Sequence, residues 1–235
     1  NMDFVWHPVT PEQYAAMGRL GRLRHRIEWS ALGAGVYYVS RIWWGKMVVL
    51  RAPNRFRGGI RKDRAFFNVL LPLSVLGAAA IGGLFAGHFV SAAWMVVKLI
   101  VGPFLAFCWS IGFTVYVHHI HPDMPWRTGR DWSKVDAQMR TTAVLRVRQP
   151  FAMFLHSIFT HVPHHVDVRI PCYHLDEAQE AIEKAWPGMV RDEHLRLRDY
   201  VHTTRACKLF DFGSGRWYTY RAAREHLATA TAATV

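Results

Sequence analysis

Paired cysteines are missing from this sequence. Cys108, Cys172 and Cys207 are scattered, with no CxxC and no metal-knuckle spacing. That excludes a disulfide framework and fits a reducing compartment. Acidic residues are scarce in the first half: residues 1–122 hold 4 Asp/Glu against 13 Lys/Arg, whereas residues 123–235 hold 13 against 16. The net charge of +12 is therefore concentrated beside the apolar segments, where anionic lipid is the natural partner. No recognised nucleic-acid motif accompanies it, so no nucleic-acid partner is expected. There is no GxSxG elbow, no phosphate loop and no HEXXH, which removes the commonest hydrolase and nucleotide signatures. No secretory signal opens the chain, which begins Asn1-Met2-Asp3.

What is present is apolar. Hydrophobic residues make up 51% and aromatics 14%, yet 20% of residues are charged, a balance that suits a protein partly in a membrane and partly in water. Residues 66–87 carry no charge; as a helix they would be roughly 33 Å long, enough to cross a bilayer core of about 30 Å. Residues 93–117 form a second span, with Lys98 as its single charge near one end, where it can snorkel. Pro103 is expected to kink that helix. The short joining segment, residues 88–92, predicts a helical hairpin. Eight Lys/Arg lie between Arg41 and Arg64 and none in the turn, so both outer ends are expected in the cytoplasm.

The expected fold is thus an all-α integral membrane protein: one transmembrane helical hairpin with interfacial helices and a cytoplasmic helical cap. Residues 1–65 would be a cytoplasmic or interfacial amphipathic segment, 66–117 the hairpin, and 118–235 the cap. Thr10-Pro11-Glu12-Gln13 predicts a capped helix start. Val36 to Leu50, with Tyr37, Tyr38, Trp43 and Trp44 among Arg41 and Lys46, predicts a segment lying in the interface. A helix is expected over Asp176–Trp186, boxed by Asp176 and Gln179 and stopped by Pro187-Gly188. The Ala/Thr-rich tail from Glu225 is expected to fray.

Two of the groupings among the 14 histidines stand out. His161, His164 and His165 form HVPHH, and positions i, i+3 and i+4 share a helical face. Three imidazoles at one point suit Zn, Cu, Fe or Ni. Pro163 requires the helix to begin nearby, to be kinked, or to hold the proline in its first turn. His118, His119 and His121 lie where the second span ends; His118 and His121 would share a face, with His119 about 100° away, although Pro122 is expected to end the helix there and loosen that geometry. Taken singly, these three are also what lipid headgroups would meet at an interface.

Three stretches resemble the membrane fatty acid desaturase family, especially its omega-6-type and bacterial members. HHIHPDMPW with Trp132 is similar to the segment after the family's second membrane hairpin. HSIFTHVPHHVDVRIPCYHLDEAQEAI resembles the third histidine box and the helix after it, and WHPVTPEQY the segment after the second box. The resemblance covers most of residues 6–220. It implies two membrane hairpins and a cytoplasmic cap holding two iron ions on histidines. It also implies electrons from ferredoxin or cytochrome b5, and dioxygen-dependent removal of two hydrogens from an acyl chain. His161, His164 and His165 match the third box and His119 the ligand at the hairpin exit. His121 and His118 are secondary carry-overs, and His156 is expected beside the site rather than in it. The family's first two boxes (HxxxH and HxxHH) do not precede WHPVTPEQY here. The chain is therefore expected to be part of a longer enzyme, with an incomplete di-iron site and negligible activity alone. A hydroxylase or ketolase of the same superfamily, or a non-catalytic membrane remnant, are the alternatives.

Overall fold

The computed structural model describes residues 6–49, 54–86, 88–129 and 133–232; Trp132, Leu50 and the chain's first residues, which enter the expectations above, lie outside them. The elements in chain order are α1 (Pro11–Ala16), α2 (Arg19–Glu28), α3 (Ala34–Tyr37), a π-helical segment (Tyr38–Val48), α4 (Arg57–Ala86), α5 (Phe89–Val96), a π-helical turn (Val97–Val101) and α6 (Gly102–His119). Then follow α7 (Lys134–Arg140), β1 (Ala143–Arg146), α8 (Phe151–Phe154), α9 (Val162–Val166), α10 (Leu175–Ala185), β2 (Arg191–His194), α11 (Leu197–Ala206), β3 (Leu209–Asp211), β4 (Arg216–Tyr218) and α12 (Tyr220–Ala232). The chain is predominantly helical, as expected. That is consistent with the all-α class, and two short two-stranded ladders also occur among the described residues: β1 with β2, parallel, and β3 with β4, antiparallel.

By internal contacts the chain divides into two units, residues 35–112 and residues 1–34 with 113–235. Helix α4 and the continuous α5–α6 run, whose last turns fall in the second unit, are each long and apolar enough to cross a membrane. Gly82 explains how α4 and α5 approach so closely. A Cβ there would lie 2.4 Å from the carbonyl oxygen of Ser91, so only glycine admits that contact. Gly35 does the same against the backbone of Trp109. Just before Pro103, where a kink is expected, the backbone forms the π-helical turn Val97–Val101. A widened turn of this kind accommodates a residue that cannot donate to the helical ladder. At the end of α3 and in the π-helical segment after it, Tyr37, Tyr38 and Ile42 are buried and Trp44 is exposed.

In the second unit, α1 begins as the sequence implies. Thr10 Oγ1 accepts from the Gln13 amide at 3.2 Å, the Gln13 side chain accepts from the Thr10 amide at 3.0 Å, and Pro11 fills the first helical position. Two local expectations fail. Asp176 does not cap α10: His174 takes the N-cap position, and the Asp176 carboxylate accepts from Thr160 Oγ1 at 2.6 Å instead. A tertiary partner displaces a local one. The tail does not fray at Glu225: α12, anchored by Ala223 against Tyr14 and Leu209, continues to Ala232, and residues 233–235 lie outside the described residues. Two further apolar clusters organise the unit. One joins Met139, Val144, Val162, Ile182 and Val190; the other joins Met124, Ala143, Leu145 and Phe159. Val162 and Phe159 flank His161, so burial of these neighbours fixes the backbone that carries the HVPHH histidines.

Candidate metal centre

Local chemistry sets the two histidine-bearing ends. Helix α6 stops at His119 because His121 precedes Pro122, and a residue before proline is disfavoured in helical geometry. His121 therefore does not share a helical face with His118, as uninterrupted periodicity would have it. Pro163 sits in the first turn of α9 with His161 at the N-cap, where a missing amide hydrogen costs nothing. That places His161, His164 and His165 around one turn.

The tertiary fold then brings the two ends together. One ring nitrogen from each of His119, His161 and His165 lies within 4.8 Å of the others. The ring centroids of His119 and His165 are 4.9 Å apart, those of His161 and His165 4.6 Å, and those of His119 and His161 5.5 Å. His164 stands at the edge, 5.5 Å from His161 and 6.0 Å from His165.

Hydrogen bonding sorts the six candidates. His119 Nδ1 is 3.1 Å from the Thr141 carbonyl oxygen. A carbonyl only accepts, so Nδ1 carries the proton and the lone pair is on Nε2, the arrangement that readies an imidazole for a metal. His161 Nδ1 and His165 Nε2 are buried with no hydrogen-bond partner, and a buried polar nitrogen left so is costly unless a cation meets it. His118 differs: its Nδ1 donates to the Thr114 carbonyl at 2.6 Å and its Nε2 lies 3.4 Å from the Phe159 carbonyl. Its ring is close to His161, 4.4 Å between centroids, but both nitrogens face backbone. His121 stands apart, its Nε2 2.9 Å from Arg191 Nη2, and Arg191 also reaches Asp123 and Glu193. His156 adopts a left-handed backbone at φ 53, with Nδ1 3.9 Å from Cys172 Sγ.

Electrostatics favour neutral, metal-binding imidazoles. Burial, then His118 and the other nearby rings, hold His161 well below the ordinary imidazole range. Burial, followed by His119 and His164, brings His165 down to about 4. Burial and then the Arg191 charge also lower His121. Nitrogen-only donors of this kind suit a first-row transition metal.

Several contributors carry no signature in the sequence. The Thr141 carbonyl that orients His119 is backbone, and Gln138, whose Nε2 donates to the His165 carbonyl at 2.7 Å, is one glutamine among ordinary helix residues. A cavity of about 490 Å³ adjoins the cluster, with His119, His165, Trp126, Lys134, His7 and Phe212 among its walls. Its walls come from segments far apart in sequence, so periodicity could not have found it.

The family model described as "Fatty acid desaturase" matches residues 2–194. An sn-1 oleoyl-lipid 12-desaturase of Anabaena variabilis is 30% identical over 199 residues, 81% of this chain and 52% of its own length. An sn-1 acyl-lipid omega-3 desaturase (ferredoxin) of Nostoc sp. is 28% identical, covering 77% of this chain and 48% of its own. A chloroplastic omega-6 fatty acid desaturase of Arabidopsis thaliana is 28% identical, covering 78% and 39%. The chain spans about half the length, or less, of these curated relatives.

Proposed function

The chain belongs to the fatty acid desaturase family, and on that premise we propose that it forms part of an acyl-lipid desaturase that works with dioxygen and histidine-held iron. The observation that carries this is the convergence of His119, His161 and His165 with two buried, unpartnered ring nitrogens. Iron, when bound, supplies the one- and two-electron redox chemistry that removal of two hydrogens from an unactivated acyl chain requires, which zinc does not. His119, His161 and His165, with His164 beside them, would hold one ion. The other roles follow from the contacts. The Thr141 carbonyl keeps the His119 lone pair on Nε2, Gln138 ties the His165 backbone to α7, and the apolar cores around Val162 and Phe159 keep the rings in place. His118 and His121 would have to leave their backbone and Arg191 partners to bind metal, so they rank as secondary ligands. A second iron needs donors beyond this cluster.

The membrane reading extends the same proposal. Residues 66–117 form a hairpin in the bilayer, residues 1–65 lie in the cytoplasm and its membrane interface, and residues 118–235 form a cytoplasmic cap. The charge asymmetry around the spans supports this orientation. The relatives' names support a glycerolipid-bound acyl chain as substrate and ferredoxin as donor, with cytochrome b5 the alternative donor.

The test is lipid analysis of cells expressing the whole protein with a ferredoxin system. A new double bond in the acyl chains is expected; hydroxylated product alone would move the protein to the hydroxylases. His164→Ala should abolish the product and lower bound iron, while His226→Ala, whose ring stacks on Tyr218, should do neither. Equal iron in both variants would remove HVPHH as the ligand segment.

A further inference from the structure

The second unit holds a connected file of oxidisable aromatics that the metal chemistry does not use. Trp126 lines the same cavity as His119 and His165. Its ring centroid is 6.4 Å from that of Trp217, which is 5.8 Å from that of Trp29. Trp29 stacks on His25 at 5.5 Å with the planes 11° apart, and His25 Nδ1 is 2.9 Å from the Tyr220 hydroxyl. Trp29 is buried and Tyr220 half-buried, so the file runs from the cavity through the interior toward solvent.

Hydrogen bonding gives the file a direction. The indole N–H groups of Trp126 and Trp217 are buried with no hydrogen-bond partner. On losing an electron each ring must keep its proton, and a radical cation in that setting is refilled readily by the next ring. Tyr220 is different because its hydroxyl has an imidazole nitrogen in reach, so electron loss can be accompanied by proton transfer to His25. Two side branches lack this outlet. Tyr116 lies 6.3 Å from Trp29, but its hydroxyl is buried without a partner. Tyr14 stacks on Tyr220 at 5.0 Å, and its hydroxyl accepts from the Arg26 guanidinium, which cannot take a proton.

We propose that Trp126, Trp217, Trp29 and Tyr220 form a relay that carries an oxidising equivalent away from the histidine cluster to the surface. The proposal rests on the oxygen-using role given to that cluster. The oxidant is the one-electron oxidant formed there when dioxygen is reduced without an acyl chain to consume it. That oxidant takes one electron from Trp126 and is reduced. Trp217 refills Trp126, Trp29 refills Trp217, and Tyr220 refills Trp29 as its phenolic proton passes to His25 Nδ1. A solution reductant such as ascorbate then returns one electron to Tyr220, and His25 returns the proton. The relay would spare the histidines and the cavity walls from oxidation during turnover without substrate.

The test needs no metal. Gly129 is exposed and lines the cavity beside Trp126, and a Cβ there meets nothing within 4 Å. Gly129→Cys in a Cys172→Ser background can therefore carry a ruthenium photosensitiser on the full chain in lipid nanodiscs. After flash oxidation of the label, electron paramagnetic resonance should report a neutral tyrosyl radical. Trp217→Phe should remove that signal while leaving the thermal unfolding transition close to the parent's, which separates a broken relay from a damaged fold. Tyr220→Phe should leave only a tryptophanyl transient. An oxidised label with no tyrosyl radical in the parent, or an unchanged signal in Trp217→Phe, overturns the relay. Because the measurement is metal-free, that failure leaves the proposed desaturase function standing, and an inactive enzyme would leave the relay standing.

Discussion

Residues 35–112 and the rest of the chain are built from similarly apolar side chains and dispose of them in opposite ways. In α4 and α5, Leu84 and Phe85 are each 85% exposed and Phe89 is 84% exposed, whereas Trp6, Leu209 and Phe210 in the other unit are 0% exposed. The unit carrying the histidines buries a core of large side chains, as a protein in water does, although Leu20, Phe154 and Leu197 stay exposed. Helices α4 and α5 hide glycine and alanine, Gly82 and Ala78 among them, and turn their large residues outward. Leaving one such side chain in water forgoes about 1.5–3 kcal/mol relative to burying it, and these helices do so many times over. The inversion means that hydrophobicity alone does not say where the core is; an outward apolar face of this kind on α4 and α5 is what a helix long enough to cross a membrane would turn to lipid.

The comparison can be broken at several points. The largest effect is expected at the metal centre. In the whole protein, His161→Ala should lower iron occupancy and activity by roughly 100-fold or more, against little loss of iron for His121→Ala, whose ring faces Arg191. Metal analysis of the two purified variants decides it; comparable losses would mean that His121 moves into the cluster. Next is Leu76→Arg on the outward face of α4. An arginine mid-span should disfavour membrane insertion by about 3 kcal/mol, read by a glycosylation-based insertion assay. Normal insertion would put α4 in water.

The pH dependence is smaller and confined to the histidine unit. His165 is held at about 4, below its unfolded value, so the unfolded chain binds more protons between those two values. Stability of the metal-free protein should be level above pH ~6.5 and fall as the pH drops toward 4, with His165 alone contributing about 2 kcal/mol of loss at pH 5. Denaturant titrations at pH 7 and pH 5 measure this, and bound metal should suppress it. Last, Gly82→Ala forces a methyl group against the Ser91 carbonyl and should cost about 1–3 kcal/mol in helix–helix association, seen as a lower unfolding temperature in detergent. An unchanged transition would mean that α4 and α5 do not meet there.

Part of this was legible because its causes are local. The start of α1 depends on Thr10, Pro11 and Gln13 within one turn. The end of α6 depends on Pro122, although only the proline's effect on His121, not helical periodicity, gives the correct set of neighbours. The HVPHH spacing announced a shared face, and Pro163 narrowed where that helix starts. The α10 helix was legible to within a residue at each end, but its cap was not, because Asp176 is taken by Thr160, sixteen residues away. The ladders were missed because strands of three and four residues leave no periodic trace.

By itself the sequence determined the two apolar spans, the sign of the charge beside them and the two clusters of imidazoles, because each follows from side chains within a few residues of one another. Only the tertiary structure decided which histidines meet. His119 and His165 lie 46 positions apart and come together because α7, α9 and β1 pack the Met139 and Val162 core between them. The Thr141 carbonyl, the idle nitrogens of His161 and His165, and the pairing of His121 with Arg191 are consequences of that packing. Backbone groups and long-range partners write nothing into the local pattern, so the choice of ligands from among the histidines had to wait for the fold.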